Sequence, residues 1–417
     1  MFIFKALMNT IFLTNLLKKF FIALIPLFIT FIALHFYGFV RTPFFYPLLI
    51  IFFFIYIKSE FKNSVLLSIT LLVATLIANL AMGILKIEDR MYYRPHEKLT
   101  IYNHEMELKS YKKNMDIIFQ MPFGDISAVG HIKDIEIEPR EIRFKTDSFG
   151  FRNNNNYNGE KYVIVGDSFI AANGTNQDHI ITSQLKNTWN IDTYSLGFAG
   201  GIPEYVKYVL YLQKKTGSDF KVLLFFFEGN DFVESISKRQ MVIKKPIIKA
   251  YYDWVKAFFE ETIIYRYTYS LITMLTKKPQ SSEVLIVKGH RIGEFSDYIQ
   301  ATKRQSYRIP DRALKMLYLI HDRIDHIFFI PTKYRVYFPF IENRNIEELP
   351  NRQWEETQRI AKLLNVGCTD LTEPLRKESE RLLKEDKFTF WKDDSHWNGY
   401  GIAVAAKAVN DHINKLK

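Results

Sequence analysis

Three uncharged, apolar runs fill most of the first 85 residues and constrain how this chain can fold. Residues 20–40 and 64–85 contain no Asp, Glu, Lys or Arg, and each reaches the ~20 residues that a helix needs to cross the hydrocarbon core of a bilayer. Residues 44–57 form a shorter run, which reaches spanning length only if neighbouring residues extend the helix. The sequence therefore predicts a helical membrane anchor of about three spans over residues 1–86.

A cleaved signal peptide is the alternative interpretation of the first run. Its apolar stretch is longer than the roughly 7–15 residues of a signal-peptide core, and no pair of small residues at cleavage spacing follows it. We therefore expect this run to remain as part of the anchor.

Basic residues around the runs predict the orientation of the anchor. Three lysines, at positions 5, 18 and 19, precede the first run, and Lys58 and Lys62 lie between the second and the third. Because Lys and Arg are enriched on the cytoplasmic side, three crossings would place everything after about Leu85 outside the cytoplasm. The sequence thus predicts a multi-pass protein of the cytoplasmic (inner) membrane with a periplasmic or otherwise extracytoplasmic main domain. This sidedness reverses if the second run does not span.

Charge and cysteine content limit the partners of the chain. Its 56 Lys and Arg exceed its 45 Asp and Glu, a formal charge of +11, but the basic residues are scattered and form no nucleic-acid-binding motif. We expect no nucleic-acid partner, and the excess suits a lipid bilayer surface, an anionic glycan or an ordinary solvated surface. Cys368 is the single cysteine, so neither an intrachain disulfide nor a cysteine-based metal site can form.

After the anchor, the chain divides into a connector and a larger domain. Residues 87–158 are polar with short alternating stretches, which predicts an extracytoplasmic connector with short strands. In residues 159–417, apolar runs alternate with helical stretches, a pattern typical of a parallel sheet covered on both faces. The prediction is an α/β fold, a three-layer sandwich with a mainly parallel five-stranded sheet. The predicted strands are 162–165, 193–196, 222–227, 326–330 and 366–370.

An aromatic and basic segment at about 232–310 interrupts this alternation and is predicted to be an insertion. An insertion of that size beside an active site is often a lid or a substrate platform. A helix resting on the bilayer surface is the other interpretation. The sequence leaves both open.

The first chemically suggestive block is Gly166-Asp167-Ser168, directly after the first predicted strand. A serine at the carboxyl end of such a strand lies where open α/β sheets bind ligands, and a preceding glycine allows a sharp turn. An ordinary turn with a helix-capping serine is the alternative.

The second block, Gly229-Asn230-Asp231, follows the third predicted strand. An asparagine amide at that edge can donate a hydrogen bond to a developing oxyanion. The alternative is a simple turn, because Asn and Asp are common turn residues.

The third block places Asp393 and Asp394 just before His396, ahead of the last predicted helix. A carboxylate three residues before a histidine can bind its Nδ1 and leave Nε2 free to take a proton from a serine. A helix-capping cluster is the alternative.

Together and in this order, the blocks resemble the SGNH hydrolase family, also called GDSL esterases, over roughly residues 145–417. Residues 146–152, TDSFGFR, are similar to the segment that precedes the serine block in many membrane-anchored members. The resemblance implies that Ser168 is the nucleophile and His396 its general base. It assigns the third member of the triad to Asp393, with Asp394 as the alternative because an Asp-x-His spacing occurs in some relatives.

The resemblance also implies an oxyanion hole. Its donors would be the backbone amides of Ser168 and Gly200 and the side chain of Asn230, with Gly201 as a rival to Gly200. Ser195 departs from the family, in which asparagine is common at that position. The residues that would support these motifs are Gly166, Asp167, Gly229 and Asp231.

The segment Pro331-Thr332-Lys333 resembles a Pro-x-Lys segment of SGNH-like proteins that acetylate alginate and other exopolysaccharides. We therefore expect a membrane-anchored serine acyltransferase or esterase that adds or removes O-acyl groups, with acetyl as the expected group, on a cell-envelope or exported polysaccharide. It would need no metal or organic cofactor. As a transferase it would depend on a separate multi-span membrane acyltransferase. The alternative is a catalytically silent SGNH-fold protein for glycan binding or envelope assembly.

Overall fold

A computed structural model gives the fold of the chain in two separate parts. The chain divides into two compact units, one of Met1–Tyr92 with Lys244–Lys278 and one of Tyr93–Ile243 with Pro279–Lys417. The described residues are 19, 22–33, 45–85, 99–103, 105–130, 132, 134–234, 280–342 and 348–415.

Among its described residues, the first unit contains three apolar helices: α1, Ile22–Ala33; α2, Phe45–Lys58; and α3, Phe61–Ile84. Among the described residues, only Phe61–Met82 within α3 is long and apolar enough to cross a bilayer, with a mean hydropathy of 2.3. The prediction of about three spans is therefore wrong for this part of the chain. An apolar helix of about 12 residues, such as α1, rises only about 18 Å, whereas the hydrocarbon core is about 30 Å thick. Residues 34–40 of the first predicted run lie outside the described residues.

A small polar cluster lies between these helices. Thr30 on α1 hydrogen-bonds the Tyr56 hydroxyl on α2 at 2.5 Å, and Ser68 on α3 donates to the same hydroxyl at 2.8 Å. All three side chains are buried, whereas Leu66 and Ile77 on α3 are each 62% exposed. A polar interior and an apolar exterior are the reverse of a bundle that folds in water, and hydroxyl contacts between helices are typical of packing in membranes.

The second unit holds the strands and the remaining helices. Its strands are β1 (Thr100–Asn103), β2 (Leu108–Tyr111), β3 (Asp116–Met121), β4 (Arg140–Lys145), β5 (Tyr162–Val165), β6 (Thr193–Ser195), β7 (Lys221–Phe227), β8 (Ser282–Val287), β9 (His290–Phe295), β10 (Ile324–Ile330) and β11 (Gly367–Asp370). Its α-helices are α4 (Asp125–Gly130), α5 (Ile181–Trp189), α6 (Ile202–Thr216), α7 (Asp231–Glu234), α8 (Ser296–Thr302), α9 (Asp311–Leu317), α10 (Lys333–Tyr337), α11 (Arg352–Leu364), α12 (Thr372–Leu382) and α13 (Gly399–Lys415).

Five parallel strands form the central sheet, in the order β11, β10, β7, β5, β6. This confirms the predicted α/β fold with a five-stranded parallel sheet. Consecutive strand residues point to opposite faces, so Val163 and Val165 of β5 enter one core and Ile164 enters the other. Helices α6, α9 and α11 cover the first face, and α5, α12 and α13 cover the second. Burial on both faces explains why these strands read as continuous apolar runs.

The strand order fixes where a ligand can bind. The chain passes from β5 to β6 at the edge of the sheet and then returns to the other side of β5 as β7. Ligands of open α/β sheets bind outside the carboxyl ends of the strands at such a reversal. Ser168, Gly200 and Asn230 follow β5, β6 and β7, which are neighbours, so the topology brings these three residues to one edge of the sheet.

Three antiparallel hairpins, β1–β2, β3–β4 and β8–β9, accompany this sheet. The first two belong to the predicted connector, and Tyr111 and Phe144 bury their rings in the first core. The connector is therefore packed into the same core as the sheet. Residues 235–279 of the predicted insertion at 232–310 lie outside the described residues. The lid and bilayer-helix interpretations of this segment therefore stay predictions. The following hairpin contributes Val287 and Ile292 to the second core.

Candidate active site

The proposed nucleophile lies in a tight turn directly after β5. Ser168 is half-buried, and its carbonyl accepts a hydrogen bond from the Asn173 amide at 3.2 Å. The Asp167 carboxylate accepts from the Phe169 amide at 2.9 Å, which closes the turn. A Cβ on Gly166 would lie 2.5 Å from the Ile170 side chain, so the turn has no room for a larger residue at that position.

A Ser–His–Asp triad is assembled around this serine. His396 Nε2 lies 2.7 Å from Ser168 Oγ, and His396 Nδ1 lies 2.7 Å from Asp394 Oδ1. Both residues behind the serine are buried, Asp394 almost completely. Serine, imidazole and carboxylate are thus in the order and at the distances that proton transfer from a serine hydroxyl requires.

The carboxylate that contacts the imidazole belongs to Asp394, the alternative, and not to Asp393. The Asp393 side chain instead accepts from the Gly124 amide at 2.7 Å and from the Glu138 amide at 3.2 Å. Its other oxygen lies 3.2 Å from the Arg140 guanidinium. Asp393 therefore ties the loop at residues 391–398 to the connector, while Asp394 contacts the histidine.

Arg140, at the start of β4, binds both carboxylates. It lies 2.9 Å from Asp394 Oδ2 and also donates to the Gly174 carbonyl at 2.8 Å. Its guanidinium stacks 4.2 Å above the Trp391 ring. Nothing in the sequence around Arg140, within the connector, predicts its contact with a loop about 250 residues away.

An acidic residue of the connector, Asp125, also faces His396. Asp125 accepts hydrogen bonds from the amide and the hydroxyl of Ser395, at 2.7 and 2.6 Å. Its Oδ2 lies 3.6 Å from His396 Nδ1. Asp125, Asp394 and His396 offer ligand atoms within 4.8 Å of one another, a spacing that could also hold a metal ion. Hydrogen bonds among these three residues and with Ser395 already explain why they lie so close together. We therefore place no metal there.

Lys333 of the Pro-x-Lys segment contacts the same loop. Its buried ammonium donates to the Asp394 carbonyl at 2.8 Å and to the Trp391 carbonyl at 3.2 Å. Burial lowers the pKa of Lys333, although the nearby carboxylates, Glu294 first among them, oppose this. Burial in turn raises the pKa of Glu294 to about 7, against the attraction of Lys333. The lysine therefore fixes the backbone that carries the triad carboxylate.

Electrostatics favour a charged Asp394 beside a His396 whose pKa is raised. Burial alone would raise the pKa of Asp394, but the hydrogen bond and charge of His396, together with Arg140, hold that pKa well below its ordinary value of 3.8. Burial likewise opposes a charged imidazole, yet the hydrogen bond and charge of Asp394 outweigh it and raise the pKa of His396 above 6.5. Asp125 and Asp167 add to this effect. A raised pKa makes the imidazole a better acceptor for the serine proton.

The candidate oxyanion donors flank the serine, and the structure distinguishes the two glycines. The Gly201 amide donates to Glu204 at 3.0 Å as part of the cap of α6 and is therefore engaged. Among the hydrogen bonds of the described residues, none uses the Gly200 amide. The Tyr205 hydroxyl contacts the Gly200 carbonyl at 2.8 Å and Asp231 at 2.7 Å, which ties Gly200 to the Gly229-Asn230-Asp231 block.

The second block, Gly229-Asn230-Asp231, turns tightly after β7. Asp231 accepts from the Phe227 amide at 2.8 Å, so its carboxylate holds the turn that presents Asn230. A Cβ on Gly229 would lie 2.4 Å from the Phe227 ring, which leaves space only for glycine. The roles of Gly200 and Asn230 in an oxyanion hole remain predictions.

The TDSFGFR segment holds the loop after the serine through hydrogen bonds. The buried Arg152 guanidinium donates to the carbonyls of Ala171, Ala172 and Thr175, at 2.6–3.2 Å. Asp147 accepts from the Phe149 amide and from two others, which folds the segment back on itself. Burial lowers the pKa of Arg152 to about 9, which still leaves it charged at neutral pH.

The chain was compared with protein families and with curated proteins. No family model matches it, and no curated protein matches it either.

Proposed function

We propose that this chain is a membrane-anchored serine enzyme of SGNH type that adds or removes O-acyl groups on a cell-envelope or exported polysaccharide. The observation that carries the proposal is the pair of 2.7 Å contacts that join Ser168, His396 and Asp394. Hydrogen bonds that serve only to hold the fold need not link a serine, a histidine and a carboxylate in this order. Here they do so at the carboxyl edge of a parallel sheet, where the serine hydroxyl is accessible.

The chemistry follows from these contacts. His396 Nε2 takes the proton of Ser168 as Oγ attacks the ester carbonyl, and the negative charge moves to the carbonyl oxygen. The Ser168 and Gly200 amides and the Asn230 side chain would stabilise that oxyanion. The tetrahedral intermediate collapses to an acyl-serine as His396 returns the proton to the leaving alcohol. Asp394 keeps Nε2 facing the serine throughout and balances the positive charge of the imidazolium.

The second half of the reaction decides between an esterase and a transferase. Water attacking the acyl-serine would release the acid, whereas a sugar hydroxyl would take the acyl group and leave an O-acylated glycan. In both cases His396 accepts the proton of the attacking hydroxyl and returns it to Ser168. We favour transfer, because the Pro-x-Lys segment at 331–333 resembles polysaccharide-acetylating proteins. A separate multi-span membrane acyltransferase would then supply the acyl group.

The location of the domain rests on α3. Its outward apolar side chains suit a lipid environment, and Lys58 and Lys62 around its start favour the cytoplasm. A single crossing by α3 would thus place the catalytic domain outside the cytoplasm, as three crossings would. The partners of the first unit are then lipids, and those of the second are an acyl ester and a glycan.

Cleavage of p-nitrophenyl acetate by the purified full-length chain in detergent tests the proposal. We expect release of p-nitrophenol by the wild type and its loss in Ser168→Ala and in His396→Ala. Adding an oligosaccharide and detecting acetyl groups on it would select transfer over hydrolysis. Equal rates in the wild type and both variants, with folding intact, would favour the catalytically silent glycan-binding or assembly protein.

A further inference from the structure

A cavity of about 640 Å³ opens behind the catalytic loop. Its volume falls within the roughly 300–1,000 Å³ range of ligand sites in proteins. Residues of the connector, of the loop after Ser168 and of the start of α13 line it. Neither Ser168 nor His396 is among its lining residues, so it is distinct from the site of covalent chemistry.

Two contacts join this cavity to the triad. Arg140, on its wall, lies 2.9 Å from Asp394 Oδ2. Trp391, also on the wall, donates its backbone amide to the His396 carbonyl at 3.2 Å. The cavity and the triad are therefore built on the same loop, residues 391–398.

Flat rings with polar edges provide the recognition surface. Trp391 is half-buried with Arg140 on one face, and Tyr400 is 44% exposed at the rim. His179 is exposed and packs beside Gly399, where a Cβ would lie 3.1 Å from its ring. Within the described part of the chain, neither the His179 ring nor the Tyr400 hydroxyl makes a hydrogen bond. Such rings combine an apolar face with a polar edge. The apolar face can pack against the C–H face of a sugar ring, and the polar edge can hydrogen-bond the sugar hydroxyls.

The charged groups of the cavity are already engaged by other protein groups. Arg140 is held by two carboxylates, and Lys387 pairs with Glu385 at 2.8 Å. Glu138 accepts the Lys392 amide at 2.6 Å, and Glu141 accepts from Gln120 at 2.7 Å. Arg140 and Lys387 are thus paired with carboxylates, and Glu138 and Glu141 are hydrogen-bonded, so we assign ligand binding to the neutral donors, acceptors and rings of the cavity.

We propose that this cavity binds a neutral oligosaccharide, through the rings of Trp391 and Tyr400 and the imidazole of His179. The role of the bound glycan as the acyl acceptor rests on the proposed function, but the binding itself does not. Tyr400 and His179 act as glycan-binding residues.

The test measures binding alone, by calorimetry on the full-length Ser168→Ala protein in detergent, with cellohexaose, chitohexaose and maltohexaose. We expect at least one to bind, and we expect Tyr400→Ala and His179→Ala each to raise its Kd about tenfold or more, as for the loss of a central ring contact. Tyr318→Ala is the matched control, because Tyr318 is 42% exposed and is not among the residues that line the cavity. It should leave Kd unchanged.

The outcomes separate this inference from the proposed function. No binding of any hexasaccharide, or equal binding in the Tyr400→Ala and His179→Ala proteins, would overturn the inference even if the wild type cleaves p-nitrophenyl acetate. Tighter binding of a galacturonic acid hexamer than of the neutral sugars would overturn it as well. Tyr400-dependent binding without any ester cleavage would support the glycan site and refute the enzyme.

Discussion

The guanidinium of Arg140 lies 2.9 Å from the Asp394 oxygen that faces away from His396. Both groups are almost fully buried, and the same guanidinium reaches Asp393 at 3.2 Å. One arginine from the connector therefore contacts two buried carboxylates of the loop at residues 391–398. Such a cation stabilises the carboxylate that orients the base, so it acts as a positioning residue.

Replacing Arg140 with methionine should impair both the fold and the reaction. Removing one partner of a buried ion pair costs about 3–5 kcal/mol of unfolding free energy, because the remaining charge has no compensation. We also expect kcat for ester cleavage to fall while KM changes little, since the arginine does not touch the substrate. Chemical denaturation and steady-state kinetics measure the two effects.

Arg143→Met is the matched control for Arg140→Met. Arg143 lies three residues along the same strand and pairs with Asp116 at 2.8 Å, but both side chains are about half exposed. Exposed pairs contribute about 1 kcal/mol or less, so stability and kcat should stay close to wild type. Equal losses in the two variants would contradict a special role for Arg140.

The two neighbouring aspartates should differ sharply on mutation. Asp394→Asn removes the acceptor that fixes the histidine tautomer, and we expect kcat to fall by about 10³- to 10⁴-fold, as when a triad carboxylate is replaced. Asp393→Asn disturbs contacts with Gly124 and Arg140 instead, so its main effect should be on thermal stability. If Asp393→Asn proves the more severe of the two for kcat, Asp394 is not the triad member.

The pH dependence of cleavage should report the raised pKa of His396. Only the neutral imidazole can accept the serine proton, so kcat/KM should rise with pH and level off, with a midpoint above the ordinary value of 6.5. The same proton stabilises the fold below about pH 6.5, and this contribution disappears as the pH rises through the folded-state pKa. An NMR titration of the His396 ring in Ser168→Ala measures the pKa directly. Asp394→Asn should lower it, and an unchanged midpoint would contradict the coupling.

Asn230 provides a test of the oxyanion hole. Replacing it with alanine should lower kcat by about 10²- to 10³-fold and leave KM nearly unchanged, since a donor of this kind acts mainly in the transition state. Asn414→Ala, an exposed position on α13, should have no effect. A KM effect without a kcat effect would place Asn230 in substrate binding instead.

The sequence predicted the central sheet and the three motif blocks because each depends on local patterns. Parallel strands buried on both faces appear as apolar runs, and each block follows a strand or precedes a helix within a few residues. The choice between Asp393 and Asp394 was not predictable in this way. Two adjacent side chains point in different directions, and the backbone of the turn decides which one meets the histidine.

The supporting residues of the site depend on contacts that are distant in sequence. Asp125 meets Ser395 across 270 positions, and Arg140 meets Asp394 across 254. No periodicity carries such information, because each residue lies in a connector whose local sequence specifies only a short strand or helix. The error in the number of spans has a different cause: hydropathy measures the composition of a run, whereas spanning also depends on where the helix begins and ends.

A lysine in α3 should test whether this helix crosses the bilayer. Val73 lies near its middle and is exposed, and a lysine at the centre of a span costs about 2.5–3.5 kcal/mol on insertion. We expect Val73→Lys to increase the fraction of protein extracted from membranes at alkaline pH. Ile118→Lys, at an exposed apolar position on β3 in the second unit, is the control and should leave the extracted fraction unchanged. Complete retention of Val73→Lys in the membrane would show that α3 is not the segment that anchors the chain, because a spanning helix cannot accept an uncompensated central charge without cost.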